Sequence, residues 1–369
     1  MNPHLLHIIK CRAYHPLAVR SAMLEAVEAI GGLPVKAGDK VLLKPNLLTA
    51  KSPEKAVTTH PIVVQAAAEM VLDCRGKPFI GDSPSGSPGA AIFRSTGMKE
   101  IADKFKIETV NFSHSEMTEG EARGNSYFFA RPALECDLII NLPKLKTHAL
   151  TMFTGAVKNL YGCLPGFQKG NWHRRAPKNN QFSQVVVDVF ARFQPRINIM
   201  DGILAMEGDG PSNGRPRLLG IILASNNAPA LDRIAAEIIG FQPEEILTTR
   251  FAELRGFTLP RKDILYSGAA IDEIKPQNFA LPKDRYLRMI PNLALDILGR
   301  LIWTRPQVDK KSCSLCGKCV DNCPVQAMSF NGAPPVIDYS TCIKCYCCDE
   351  VCPDGAIGKQ MSWLARKLS

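Results

Sequence analysis

The chain predicts an α/β fold, a mostly parallel sheet with flanking helices, followed by a small C-terminal α+β domain. Two observations carry the first part: short apolar runs alternate with longer helical patterns, and most runs end in a polar cluster. A third carries the second part: two closely spaced cysteine runs sit in the last sixty residues. In order, VLLKPNLL (41–48) reads as a strand, HPIVVQAAAEMVLD (60–73) as a helix and KPFIGD (77–82) as a strand, which argues for parallel pairing through a crossover helix. CDLIINLPK (136–144), INIMDGI (197–203) and LLGIILAS (218–225) are further buried strands. APALDRIAAEIIG (228–240) is a helix capped by Gly240.

With 369 residues, 46% hydrophobic and 22% charged, the chain can bury a sizeable core. The N-terminus lacks a basic, uninterrupted apolar leader, and no apolar run is long enough to span a bilayer, so a cytoplasmic location is expected. Thiols stay reduced there, and clustered cysteines serve metals more often than disulfides. The net charge of +10 favours acidic partners, but no basic tract carries interleaved aromatics, so nucleic acid is unsupported.

Cys313, Cys316, Cys319 and Cys323, ahead of Pro324, follow CxxCxxCxxxCP, and Cys342, Cys345, Cys348 and Cys352, ahead of Pro353, repeat it. A CxxCxxC turn aims three thiolates at one cubane, and the fourth cysteine of each run serves the other cluster. This assigns Cys313, Cys316, Cys319 and Cys352 to one [4Fe–4S] cluster, and Cys342, Cys345, Cys348 and Cys323 to a second. Zinc sites want cysteine pairs rather than triplets. Cys347, wedged into CYCC, is read as a spare buried thiol or a redox-sensitive extra. The segment 305–358 closely resembles the bacterial two-cluster ferredoxin module. The resemblance implies a small pseudo-twofold fold passing single electrons at low potential, with a redox partner protein.

The strand ends of the large domain gather Lys44 and Asn46, then Asp82 and Ser83. Lys144, Lys146 and His148 follow, then Lys158 and Asn159, and finally Asp201 and Glu207. Ligands of open α/β sheets bind beyond the carboxyl ends of strands, and lysines with glycines and hydroxyls suit an anionic small molecule. His148, Lys144 and Lys146 are the candidate catalytic groups, His148 as general acid or base. Lys44, Asn46, Asp82, Ser83, Lys158, Asn159, Asp201 and Glu207 are the candidate substrate ligands. No Walker or GxGxxG pattern is present. An additional metal on His60, His148, His173, Asp82, Asp201 and Glu207 would have to be assembled from separate loops. The plainer readings are solvated lysines, an Asp201 pairing with Lys144 or Lys158, packing roles for Asp188 and Asp232, and a helix at Pro61 capped by Thr58 or Thr59.

KPNLL (44–48), TTHP (58–61), GDSPSG (81–86), NLPKLKTH (141–148), TGAVKNLYG (154–162) and DGILAMEGDGP (201–211) resemble the DUF362 family. That α/β family is often fused to a two-cluster ferredoxin module, and the resemblance implies fold and site position, not a substrate. The N-terminal domain of nickel-dependent lactate racemases is a more distant, fold-level likeness. The expected organisation is a DUF362-like domain over 1–283, an amphipathic linker over 284–304, the ferredoxin-type domain over 305–358 and a basic tail over 359–369. The linker and tail would pack the module onto the large domain, or touch a membrane surface. Two functions fit: a ferredoxin-linked oxidoreductase acting on an anionic small molecule, or a non-catalytic carrier or assembly factor whose large domain binds a protein.

Overall fold

A computed structural model describes residues 4–85, 89–289 and 301–368. Ten strands build one sheet: β1 (Leu6–Lys10), β2 (Lys40–Pro45), β3 (Lys77–Asp82), β4 (Glu108–Asn111), β7 (Leu138–Leu142), β8 (Lys144–His148), β9 (Met152–Phe153), β10 (Ile197–Glu207), β11 (Arg215–Ser225) and β12 (Ser267–Gly268). A hairpin of β5 (Met117–Ala122) and β6 (Asn125–Ala130) stands apart. The main path runs β12-β1-β11-β10-β7-β2-β3-β4, with β8 joined to β10 and β9 to β8.

The centre is parallel, as the strand–helix–strand reading requires: β2 pairs in parallel with β3 and β7, and β10 with β7 and β8. β11 folds back antiparallel on β10 and carries β1 beside it. Valines, leucines and isoleucines of β2, β7 and β10 lie buried on both faces, giving two cores separated by the sheet. Helices Pro16–Ala29 and Pro61–Asp73 cover one face; Asn179–Phe193 and Ala228–Ile238 cover the other.

Helix Pro61–Asp73 is capped by His60, whose Nδ1 accepts from the Ile62 amide at 3.2 Å. Thr59 is not the cap expected from the sequence: it donates to the Leu142 carbonyl at 2.6 Å and ties two strand ends together. Asp232 performs the other notable capping. It accepts from the Ala156 and Val157 amides at 2.5 and 2.9 Å, across the chain, at the start of helix Gly155–Asn159. Gly155 makes the approach feasible, with φ of +62° and room for no Cβ, which would sit 2.4 Å from Asp232 Oδ1. The other acid read as a packing residue, Asp188, accepts from Tyr127 and pairs with Arg255 at 2.6 Å.

The C-terminal module comprises β13 (Thr304–Val308) paired antiparallel with β16 (Ile357–Met361), and β14 (Met328–Ser329) paired with β15 (Val336–Ile337). Its two halves repeat in backbone conformation. Left-handed residues fall at Leu315, Gly317 and Gln326, and again 29 residues later at Lys344, Tyr346 and Gly355, a spacing read from these numbers. The amphipathic linker lies largely outside the described residues. Among the described residues no helix is long and apolar enough to cross a membrane.

Replacing Asp232 by Ala should leave two buried amides unpaired and cost about 2–4 kcal/mol. Urea denaturation followed by circular dichroism measures it, and an unmoved midpoint would refute the cap.

Candidate functional site

Most of the lysines flagged at the strand ends are buried, so each needs a partner. Lys44 Nζ lies 2.8 Å from Asp82 Oδ1 and 2.9 Å from its neighbour's carbonyl at Pro45. Asp82 also accepts from the Leu47 and Ser83 amides, both at 2.8 Å. Lys144 Nζ bonds Asp201 Oδ2 at 2.8 Å and Tyr14 Oη at 2.9 Å, while Tyr14 donates to Asp201 Oδ1 at 2.8 Å. Burial depresses the Lys144 pKa and Asp201 opposes that fall. Lys146 donates to Asn46 Oδ1 at 2.9 Å and to the Val57 carbonyl, and burial with the charge of Lys158 holds its pKa well below that of a free lysine.

An amide relay joins these strand ends. Asn46 Nδ2 donates to Asn159 Oδ1 at 3.2 Å, Asn159 Nδ2 to Asn141 Oδ1 at 2.8 Å, and Asn141 Nδ2 to Asn198 Oδ1 at 2.9 Å. The chain of side chains crosses β2, β7 and β10 and sets their relative positions.

His148 is buried, and its Nδ1 accepts from the Leu150 and Thr151 amides at 3.0 and 3.4 Å, which places the ring proton on Nε2. Nε2 stands 3.2 Å from Glu350 Oε1 of the C-terminal module, off the line of an ideal hydrogen bond. Burial, aided by Lys158, pushes the imidazole pKa down to about 3, so His148 is neutral at pH 7. Burial alone would raise the Glu350 carboxyl, but His148 and Lys158 hold it below the usual range.

Between the domains lies a cavity of about 110 Å³. From the large domain it is lined by Asn46, Asp82, Ser83, Lys158, Asn159, Tyr161, Lys169 and His173; from the module, by Asn322, Cys347, Glu350 and Val351. Its floor depends on Gly162, where a Cβ would sit 2.1 Å from Asp82 Oδ1 and 2.8 Å from Lys44 Nζ. Five expected substrate ligands thus converge: Asn46, Asp82, Ser83, Lys158 and Asn159. The rest do not. Lys44, Lys144, Lys146 and His148 form the layer behind, Asp201 is consumed by Lys144, and Glu207 binds Arg215 and the Ala280 amide at 3.1 and 3.0 Å. The three candidate catalytic groups, Lys144, Lys146 and His148, are therefore supports of the cavity rather than its lining, because desolvation ties each to an internal partner.

Lys158 differs from the others. Among the described residues its Nζ has neither hydrogen bond nor salt bridge, though burial lowers its pKa and Glu350 and Cys347 lie close enough to oppose that. Lys169 donates to the Ser83 carbonyl, and burial brings its pKa to about 8. His173, stacked on Phe182 with ring centroids 4.1 Å apart, is pushed by burial to about 4. Lys169, His173, Tyr161, Asn322 and Glu350 carried no local pattern that marked them for this cavity; only their convergence does.

The module holds two smaller cavities. One is lined by Cys313, Cys316, Cys319 and Cys352, the other by Cys323, Cys342, Cys345 and Cys348. The fourth thiol of each comes from the opposite run. The Ala327 amide donates to Cys323 Sγ and the Ala356 amide to Cys352 Sγ, both at 3.2 Å, the kind of contact that raises the potential of a thiolate-bound cluster. Among the described residues no three His, Cys, Asp or Glu side chains converge as a single-ion site, so the histidines and carboxylates of the large domain stay dispersed. A cubane makes a different demand, four thiols around one cavity, and each of these two cavities is lined by four.

The module docks through polar contacts. Ser212 donates to the Glu350 carbonyl at 2.9 Å, Asn213 bonds Asp349, and Lys359 pairs with the buried Asp284 at 2.6 Å.

The family model described as a domain of unknown function (DUF362) matches residues 41–237, and that of a 4Fe-4S dicluster domain matches 305–353. The thylakoid-associated protein sll1697 of Synechocystis sp. is 34% identical over 279 residues, 75% of this chain and 87% of its own. The dihydromethanopterin reductase (acceptor) of Methanosarcina mazei is 40% identical over 67 residues, 17% of this chain and 28% of that protein. Among solved structures, the lactate racemase apoprotein from Thermoanaerobacterium thermosaccharolyticum shares 12% identity over 56% of this chain and 51% of that one, with a TM-score of 0.36.

Asp82→Ala should strand the buried Lys44 ammonium and cost about 3–5 kcal/mol, much of it recovered in Lys44→Met/Asp82→Ala. Denaturant midpoints of the three chains check this, and equal losses in single and double variants would refute the pairing.

Proposed function

We propose, given that this chain belongs to the DUF362 family and carries a 4Fe-4S dicluster domain of iron–sulfur electron transfer, that it reduces a small anionic molecule held between its two domains. One observation carries the reading: Lys158, whose Nζ has no hydrogen bond or salt bridge among the described residues and only the nearby charge of Glu350 to balance it, faces a cavity that the module closes. In its lining, Lys158 and Lys169 stand against Glu350 and an Asp82 already paired with Lys44 behind, which leaves one positive charge in excess for an anion to neutralise. The Asn46, Asn159 and Ser83 side chains supply neutral polar groups that orient it. A cavity of about 110 Å³ suits a compact ligand of few atoms.

The cysteines that line the two module cavities are the ones that would hold the clusters: Cys313, Cys316, Cys319 and Cys352 one, Cys342, Cys345, Cys348 and Cys323 the other. Bound there, the clusters supply electrons one at a time. Lys158 and Lys169 bind the anion and stabilise charge added to it, while Glu350 and Tyr161 help to exclude water. His148 acts at one remove, holding Glu350 in the wall. The match to a protein named as a reductase, over 17% of this chain and 28% of that protein, supports a reductive direction. A carrier whose large domain merely docked a partner would have no need of a buried cation that makes no hydrogen bond among the described residues and faces a shared cavity.

Full-length protein purified without oxygen should release an anionic compound on denaturation, detected by mass spectrometry. In Lys158→Ala the yield should fall at least tenfold with iron content unchanged. No compound from the parent chain, or equal yields from both, would sink the reading.

A further inference from the structure

The two cysteine sets are not equivalent toward the cavity. We infer that electrons enter at the Cys313–Cys316–Cys319–Cys352 set and leave for the cavity from the Cys342–Cys345–Cys348–Cys323 set, with Cys347 and Asn322 forming the wall between. This ordering rests on the proposed cavity site.

Cys347 lies between Cys345 and Cys348 in the chain and lines the domain cavity. Asn322, which precedes Cys323, lines it too. On the large-domain side, a Cβ at Gly170 would sit 3.8 Å from Pro324, and Pro324 itself lines the second thiol cavity. Toward the first set, Glu350 and Val351, which precede Cys352, line the cavity, but no cysteine of that set does. Cys345 and Cys348 are each 8% exposed, as buried as Cys319 and Cys352 of the first set, so the sets differ at their outer thiols.

The first set faces outward. Cys316 is exposed, the one cysteine of the two sets that is, and Leu315 beside it is 41% exposed. A reduced one-electron carrier protein can approach there without disturbing the domain junction. Each pass moves one electron: the carrier is oxidised by one, the cavity ligand is reduced by one, and no bond forms in the chain. The spare thiol of Cys347 thereby finds a place, as the uncharged spacer between the second set and Lys158 rather than as a ligand.

Two charge variants of the full chain test the ordering without needing the ligand. Leu315→Asp, whose side chain tolerates the left-handed backbone, adds a negative charge beside Cys316; Lys158→Met removes a positive one from the cavity. Each should shift one of the two midpoint potentials to a more negative value in an EPR-monitored titration. In Leu315→Asp/Lys158→Met both potentials should be displaced, each by its single-variant shift. Both shifts accumulating on one cluster, or Lys158→Met moving neither, would overturn the ordering. A dysprosium–EDTA relaxation agent gives an independent reading on the parent chain and Leu315→Asp. The signal shifted by Leu315→Asp should relax faster with the agent than the other, and the reverse would also overturn it. No anion from the parent chain, or equal yields from it and Lys158→Ala, with the potentials behaving as described would refute the proposed ligand while leaving the electron order intact.

Discussion

The cost of taking an ammonium out of water organises this molecule. Lys44, Lys144 and Lys146 are fully buried where parallel strands end, and burial of an unpaired charge costs far more than any single packing contact returns. Asp82, Asp201 with Tyr14, and Asn46 therefore stand opposite them, and the amide relay from Asn46 to Asn198 holds those partners in register. Desolvation of this kind leaves little freedom. Once three lysines are committed, the fourth, Lys158, is what remains to meet something from outside.

The module completes what the large domain starts. Glu350 reaches His148, and it sits in the same short helix region, Cys347–Val351, that carries Cys347 into the cavity wall. The cavity is thus a property of the pair, and neither domain alone encloses it. Joining a redox module to a binding domain in one chain keeps the electron source beside the ligand at every encounter, which a freely diffusing carrier would achieve only in part of its collisions.

Local chemistry was legible from the residues themselves. The repeat CxxCxxCxxxCP states both the ligand type and the crossed arrangement, because thiol spacing within a tight turn is set by backbone geometry over a few residues. The strand–helix–strand alternation likewise led to the parallel centre at β2, β3 and β7. The hairpin β5–β6 and the first strand β1 gave no comparable signal; MTEGEA is polar and short, and its pairing depends on what lies beside it.

The sequence by itself determined that two thiol sets exist, that the sheet is largely parallel and that cations collect at its strand ends. It did not determine which cations are free. Lys144 and Lys158 look alike in one dimension, since each sits close to an Asn and a Thr on a strand end or just after one. Tertiary structure separates them, because a charge's role follows from partners 57 residues away, as Lys144 bonds Asp201, whereas Lys158 makes no hydrogen bond or salt bridge among the described residues and has only the nearby charge of Glu350. The identity of the cavity wall was beyond local reading for the same reason: Lys169 and His173 meet Glu350 only once the chain has folded, and the last two lie 177 positions apart (350 − 173). Short-range geometry is written in neighbouring residues; long-range electrostatic pairing exists only in the folded chain.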